Sequence, residues 1–277
     1  FKNADRIYRV LRENHSGDQR SIKFISSGAL QQVLEDEFPE VETATRLAIG
    51  GAGYIQYGNK AFSEVFGLTE PDFYDIFDIP FIKGSREDVR QQPMSIVLSK
   101  RLADQLFDDE DPIGKVVTMT RKAYFNGELV VRGIMDNISQ NTSFPCDMLI
   151  TGFKGQPVQK PNSSGEIWWD NWRPIGSYAP IITCVLLKQD VNAKALEAKL
   201  QGVIGQYMGS EAAKSLRYHL QPWPRIHLYS KMDYNMPQGF WRRDIQDIYL
   251  LCAVAGFILL IACINFINLT TARSARR

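Results

Sequence analysis

The sequence predicts an α+β fold: a split layer of two β-α-β units, an inserted β-rich subdomain between them, and one transmembrane α-helix after them. Three observations carry that expectation. A strand–helix–strand pattern near the start recurs late in the chain, the stretch between is dominated by strand signals, and an uncharged apolar run lies close to the C-terminal end. At 277 residues, 44% hydrophobic and 23% charged, the chain can fill one large or two small cores, which excludes a disordered chain.

In the first unit, Ile7, Tyr8, Val10 and Leu11, then Ile22, Phe24 and Ile25, read as strands around the turn residues Asn14 to Asp18. Ser26 or Ser27 can cap a helix whose Leu30, Val33, Leu34 and Phe38 recur at helical spacing. Pro39 ends it before a strand from Val41 to Ile49. In the second unit, Ile181 to Leu187 is nearly continuously apolar, as in a strand covered on both faces. Asp190 or Asn192 can cap the helix that follows, with a stripe of Leu196, Leu200, Val203, Ile204 and Tyr207. Leu216 to Leu220 is the returning strand. The insert shows strands at Ser95–Leu98, Lys115–Met119 and Leu129–Met135, a short helix from Ser99 to Phe107, and an exposed loop at Gln156–Gly165. The predicted boundaries are 1–243 for the large domain, with the split layer in 1–50 and 178–240 and the insert in 51–177. The membrane segment is 244–277.

Between Asp247 and Arg273 there is no charge over about 25 residues, roughly 37 Å of helix against a hydrocarbon core of about 30 Å. A membrane-spanning helix over Ile248–Ala272 follows. Arg273, Arg276 and Arg277 flank one end, whereas Arg242 and Arg243 at the other are interleaved with Asp244 and Asp247, so the C-terminal end is expected in the cytoplasm and the large domain outside. Trp241 and Tyr249 fit the outer interface. Asn265 and Asn268 are expected on one helix face, with Ala262 and Gly256 as small contact points for neighbouring helices. The alternative is that both amides sit at the headgroups of a single-pass anchor. The chain begins at Phe1 without an initiator Met and stops in a basic cluster, the pattern expected of a piece of a longer protein.

Chemistry is harder to find. A formal charge of +1 offers no electrostatic case for nucleic acid. Gly50, Gly51 and Gly53 fit neither phosphate-loop pattern and read as a turn or bulge between strands. His15, His219 and His227 lack metal-ligand spacing, Asp108 to Asp111 lacks the alternation of a calcium loop, and no serine sits in a nucleophile elbow. No catalytic residue, cofactor or metal is expected. Trp168, Trp169 and Trp172 are expected in packing, with stacking on a sugar or peptide as the sharper alternative. Asn141-Thr142-Ser143 and Asn162-Ser163-Ser164 match the glycosylation sequon, which matters only in a eukaryotic secretory setting. Cys252 and Cys263 fall inside the apolar run, which leaves Cys146 and Cys184 as expected free thiols.

Several motifs together resemble one family, the MacB-type or FtsX-like permeases of ABC transporters that carry a periplasmic core domain. They are Asn3-Ala4-Asp5-Arg6-Ile7-Tyr8-Arg9, Phe38-Pro39-Glu40-Val41, Ile96-Val97-Leu98-Ser99, Asp111-Pro112-Ile113-Gly114-Lys115, Val131-Arg132-Gly133-Ile134 and Ile264-Asn265-Phe266-Ile267-Asn268-Leu269-Thr270. The resemblance implies that the split layer is porter-like and the insert Sabre-like. It also implies a bacterial inner-membrane location with the domain in the periplasm, and no ATPase activity in the chain itself. A cytoplasmic ABC ATPase would be the partner, together with a permease homodimer or paired permease, membrane lipid, and a periplasmic adaptor or substrate. Helix movement would be passed to the outer domain, a mechanotransmission role. The competing expectations are a membrane-anchored extracytoplasmic sensor domain that binds a ligand, and an anchored hydrolase.

Overall fold

The computed structural model describes residues 2–26, 30–92, 95–121, 125–137, 146–152, 181–208, 210–230 and 245–274. The first hairpin joins β1 (Ile7–Ser16) to β2 (Gln19–Lys23), with Gly17 at positive φ in the turn. After helix α1 (Leu30–Glu37), strand β3 runs from Val41 to Tyr57, well past the predicted end at Ile49. The glycine-rich run is therefore not a turn but a bulge inside one long strand. The register shifts between Ile49 and Gly51, and Gly51 takes φ +72°, a conformation cheap only for glycine.

The order of the layer explains how two β-α-β units share it. Strand β10 (Ile181–Leu187) is followed by α5 (Ala193–Met208), the short α6 (Ser210–Ser215) and β11 (Leu216–Pro222). The neighbours run β11-β1-β10-β3, every pair antiparallel, so each unit's two parallel strands are separated by a strand of the other. Helices α1 and α5 cover one face: Leu30, Val33, Leu34, Leu196 and Leu200 meet Val10, Ala44, Val185 and Leu220. On the opposite face, Ile182, Cys184 and Leu186 pack with Phe24, Phe73, Phe77 and Trp223. Strand β10 is thus buried on both faces, with Ile182, Cys184 and Leu186 in one core, Val185 and Leu187 in a second and Ile181 in a third, which is why it shows no polar alternation. Asn192 is the cap of α5, its Oδ1 accepting from Lys194 and Ala195 amides at 3.0 and 3.2 Å, while Asp190 stands outside the helix at φ +59°. The Ser26 hydroxyl is hydrogen-bonded to Thr183 Oγ1 at 2.5 Å, and the residues leading into α1 lie outside the described ones. Ser27, and the side chains of Val203, Ile204 and Tyr207, lie outside the described residues.

The remaining strands build on the far half of β3. They are β4 (Lys60–Thr69), β5 (Phe81–Gly84), β6 (Ser95–Ser99), β7 (Val116–Arg121), β8 (Phe125–Met135) and β9 (Met148–Thr151), with helices α2 (Asp72–Ile76), α3 (Arg86–Gln91) and α4 (Lys100–Phe107) between them. Pairing passes from β3 to β4, β9, β6, β8, β7 and back to β3, so this part of the sheet closes on itself and β5 joins as an edge on β8. Ile55, Phe66, Leu68, Ile96, Leu98, Val117, Met119 and Val131 fill it together with Leu102, Leu106 and Phe107 of α4. Ser99 accepts from the Leu102 amide and starts α4 where the serine was expected. Strands β4, β5 and β9 and helices α2 and α3 have no counterpart in the expected elements. The Gln156–Gly165 loop, Trp168, Trp169, Trp172 and both sequons lie outside the described residues.

Candidate functional site

Helix α8 (Ile245–Ser274) is unbroken for 30 residues, has a mean hydropathy of 2.8 over its most apolar window, and buries none of its residues. Length and composition make it a candidate membrane-crossing helix. Tyr249 near one end and Arg273 near the other are exposed and about 36 Å apart along the axis, close to the thickness of a hydrocarbon core plus part of its interfaces. Trp241, Arg276 and Arg277 lie outside the described residues.

Helical geometry brings Ala262, Asn265 and Asn268 onto one exposed face. Gly256 is a correction to the expected grouping, since it precedes Asn265 by roughly two and a half turns and so points to the opposite side. A Cβ at Gly256 would meet nothing within 4 Å, so that side is open as well. The Thr270 hydroxyl donates back to Phe266 and Ile267 carbonyls at 2.9 and 2.8 Å, and Thr271 donates to Ile267 at 2.8 Å. These hydroxyls are satisfied within the helix; the two amides, among the described residues, are not.

Two buried polar centres hold the folded domain at the places where parts of it meet. The first lies where the chain leaves the layer toward α8. After β11, Trp223 and Ile226 are buried, the Trp223 ring 4.6 Å from that of Phe77, and the one-turn helix α7 (Ile226–Tyr229) ends at buried Ser230. Arg9 of β1 donates to Gln221 Oε1 at 2.6 Å and to Ser230 Oγ at 3.1 Å. Gln221 Nε2 also donates to Ser230, whose hydroxyl donates to the Ile226 carbonyl at 2.5 Å. The arginine that ends the Asn3–Arg9 motif therefore fastens the segment after β11 to the neighbouring strand β1.

The second centre lies where β3 passes from β10 to β4. Arg46 meets Glu70 through Nη2 at 2.6 Å and Nε at 3.2 Å, and the Arg46 amide donates to the other carboxylate oxygen at 3.1 Å. Thr69 Oγ1 donates to the Arg46 carbonyl at 2.9 Å, and both charged side chains are all but inaccessible. Burial holds the Glu70 carboxyl above the usual carboxylate range, although Arg46 pulls the other way. The tripled contact keeps the pair together in spite of that desolvation.

Among the described residues no group of three or more His, Cys, Asp or Glu is placed to hold a metal ion. Asp108, Glu110 and Asp111 are solvated and engaged by Lys60, Lys115 and Lys83. Cys146 and Cys184 are buried free thiols, and burial pushes Cys184 up to about 12, which suppresses thiolate chemistry. Sequence reading missed the roles of Arg46, Glu70 and Arg9. The available signal was a charged residue set in an apolar strand, as Arg9 is between Tyr8 and Val10.

The family model described as MacB-like periplasmic core domain matches residues 1–203. No curated protein gives a significant match. Among solved structures, a domain assigned to a permease protein from Porphyromonas gingivalis superposes with a TM-score of 0.63 at 24% identity, covering 84% of this chain and 95% of that one. The periplasmic region of MacB from Actinobacillus actinomycetemcomitans gives 0.51 at 16%, covering 80% and 91%. The extracellular domain of the noncanonic ABC-type transporter YknZ from Gram-positive bacteria gives 0.51 at 12%, covering 78% and 99%. At these identities the likeness is one of fold.

Proposed function

The chain belongs to the MacB-like periplasmic core domain family, and from that membership we propose that it is a permease subunit of an ABC transporter of the mechanotransmission type. ATP hydrolysis by a separate cytoplasmic ATPase would move membrane helices, and the domain of residues 1–243 would follow, acting on an export substrate in the periplasm. The observation that carries the reading is the union of the two parts. A domain of this family continues into a long apolar helix with no buried residue, which only a lipid environment or neighbouring helices would shield from water.

In this reading the porter-like part comprises 1–50 and 178–240, the Sabre-like part 51–177, and the membrane segment 244–277 in the inner membrane. The face with Ala262, Asn265 and Asn268 packs against helices of the same permease or its dimer partner, while Trp241 and Tyr249 mark the outer interface and Arg273, Arg276 and Arg277 the inner one. Movement of α8 enters the domain at Ser230, and the Arg9–Gln221–Ser230 contacts pass it to β1 and β11. The Arg46–Glu70 pair keeps the two halves of β3 moving as one body.

Affinity purification of the full-length protein from its native membrane in a mild detergent tests the proposal. An ABC ATPase recovered in stoichiometric amount, released or retained according to nucleotide, is the expected result. Recovery of a signalling kinase, or of the chain alone under conditions that keep related transporters intact, would replace the permease reading with that of an anchored sensor domain.

A further inference from the structure

His219 bridges three elements. Its Nδ1 is 2.8 Å from Glu197 Oε1 on α5, and its Nε2 is 2.6 Å from Glu13 Oε2 on β1, while the residue itself lies on β11. A neutral imidazole has one N–H, so with a carboxylate on each ring nitrogen both contacts are hydrogen bonds only when the ring carries two protons. The ring is about one-third exposed, enough for water to deliver or remove a proton.

What the bridge holds is the end of the sheet. Among the described residues strand β11 is the last in the order, and its outer side is covered by α5. The second oxygen of Glu197 accepts from the Leu220 amide at 2.8 Å, and Gln201, one turn further on, donates to the Tyr218 carbonyl at 2.9 Å. Side chains of a helix thus occupy backbone groups that an unprotected edge would offer to another strand. Glu197 does both jobs, one oxygen on the edge and the other on His219.

We infer that Glu13, His219 and Glu197 form a proton-operated lock holding α5 over the outer edge of β11, closed while the imidazole carries both protons and opened by the loss of one. On deprotonation one carboxylate faces a lone pair, and attraction there becomes repulsion. Arg20 helps to keep Glu13 ionised, and Lys194 does so for Glu197. On β2, Arg20 reaches Glu13 at 2.5 and 2.9 Å, and on β1 His15 lies 2.6 Å from the same carboxylate. Arg217 pairs across from Glu13 in the β11 register, Arg12 neighbours it on β1, and Lys194 bears on Glu197 from α5.

The hydrogen bond to Glu197, aided by Glu13, raises His219 above its ordinary 6.5 against the opposing effect of burial. For Glu13, burial pushes upward but the bonds from Arg20 and His219 outweigh it, and Glu197 is likewise held below 4.5 by His219 and the Leu220 amide in spite of burial. The lock's contribution is therefore fully present below the imidazole's ordinary value and is lost as pH rises through the raised one. On the acid side it survives until pH falls through the lowered carboxylate values.

The inference does not depend on a role in transport. NMR of the full chain in detergent micelles, with labelled histidines, follows three rings, and the His219 signal is the one absent from His219→Gln. The expected midpoint is above 6.5, and Glu197→Gln moves it down. Deuterium uptake over Leu216–Pro222, corrected for the intrinsic pH dependence of exchange, is expected to rise several-fold across that titration in the native chain and to stay flat in His219→Gln. A midpoint at or below the ordinary value in the native protein overturns the lock without recourse to any variant. So does an exchange rise that persists unchanged in His219→Gln.

Discussion

Strand β10 and helix α8 are both largely apolar stretches, and the structure treats them oppositely. Every residue of Ile181–Leu187 is buried, whereas no residue of Ile245–Ser274 is. The difference is one of length and reach. Seven extended residues cross a sheet of ordinary width and are covered on both faces by cores that other elements supply. Thirty helical residues extend about 45 Å and present apolar side chains in every direction, more than the neighbouring domain can cover. Apolarity alone does not say where a segment goes; what is left to pack against it does.

The contrast can be broken at each end. The largest effect is expected at the joint inside the folded domain: Glu70→Ala leaves Arg46 buried without its carboxylate and should destabilise the domain by about 3–5 kcal/mol, read as a lowered denaturant midpoint. Helix α8 should not respond in the same assay. Leu260→Arg, placed near the middle of α8, should oppose insertion by about 3 kcal/mol and shift the chain out of the alkali-resistant membrane fraction, while leaving the domain's unfolding midpoint unchanged. The smallest effect sharpens the boundary between the two regions. Ser230→Ala removes a shared hydroxyl between Arg9, Gln221 and Ile226 and should cost about 1–2 kcal/mol, with deuterium uptake rising first over Trp223–Tyr229. Equal loss of protection throughout β10 would show that Ser230 does not mark a separate exit.

How much of this was legible beforehand follows the same physics. Strands β10 and β6, helix α4 with its serine cap, and α8 are short-range patterns, and the sequence carries them within a few residues. Strand β4 was hidden because its burial changes from alternating to continuous halfway along, where it passes from the rim of the closed sheet into its core. Strand β9 has only four residues and makes sense only beside β4 and β6. The Gly50–Gly53 run fitted a bulge as well as a turn, and which it was depended on a partner strand further on. The polar centres were invisible for a different reason: Arg9 and Gln221 are 212 positions apart, Glu13 and His219 206, and no local spacing joins them. Gly256 illustrates the converse. Its place relative to Asn265 needed nothing beyond helical rotation.

The central claim is that a folded domain on one side of a membrane is tied through α8 to the other side. Single cysteines at Tyr54, exposed on β3, and at Ser274, at the end of α8, test it in intact cells with a membrane-impermeant maleimide, the native thiols replaced by serine or alanine. Tyr54→Cys is expected to label in intact cells once the reagent can pass any outer envelope, and Ser274→Cys only after the membrane that α8 crosses is permeabilised. Labelling of both positions from the same side would contradict the account.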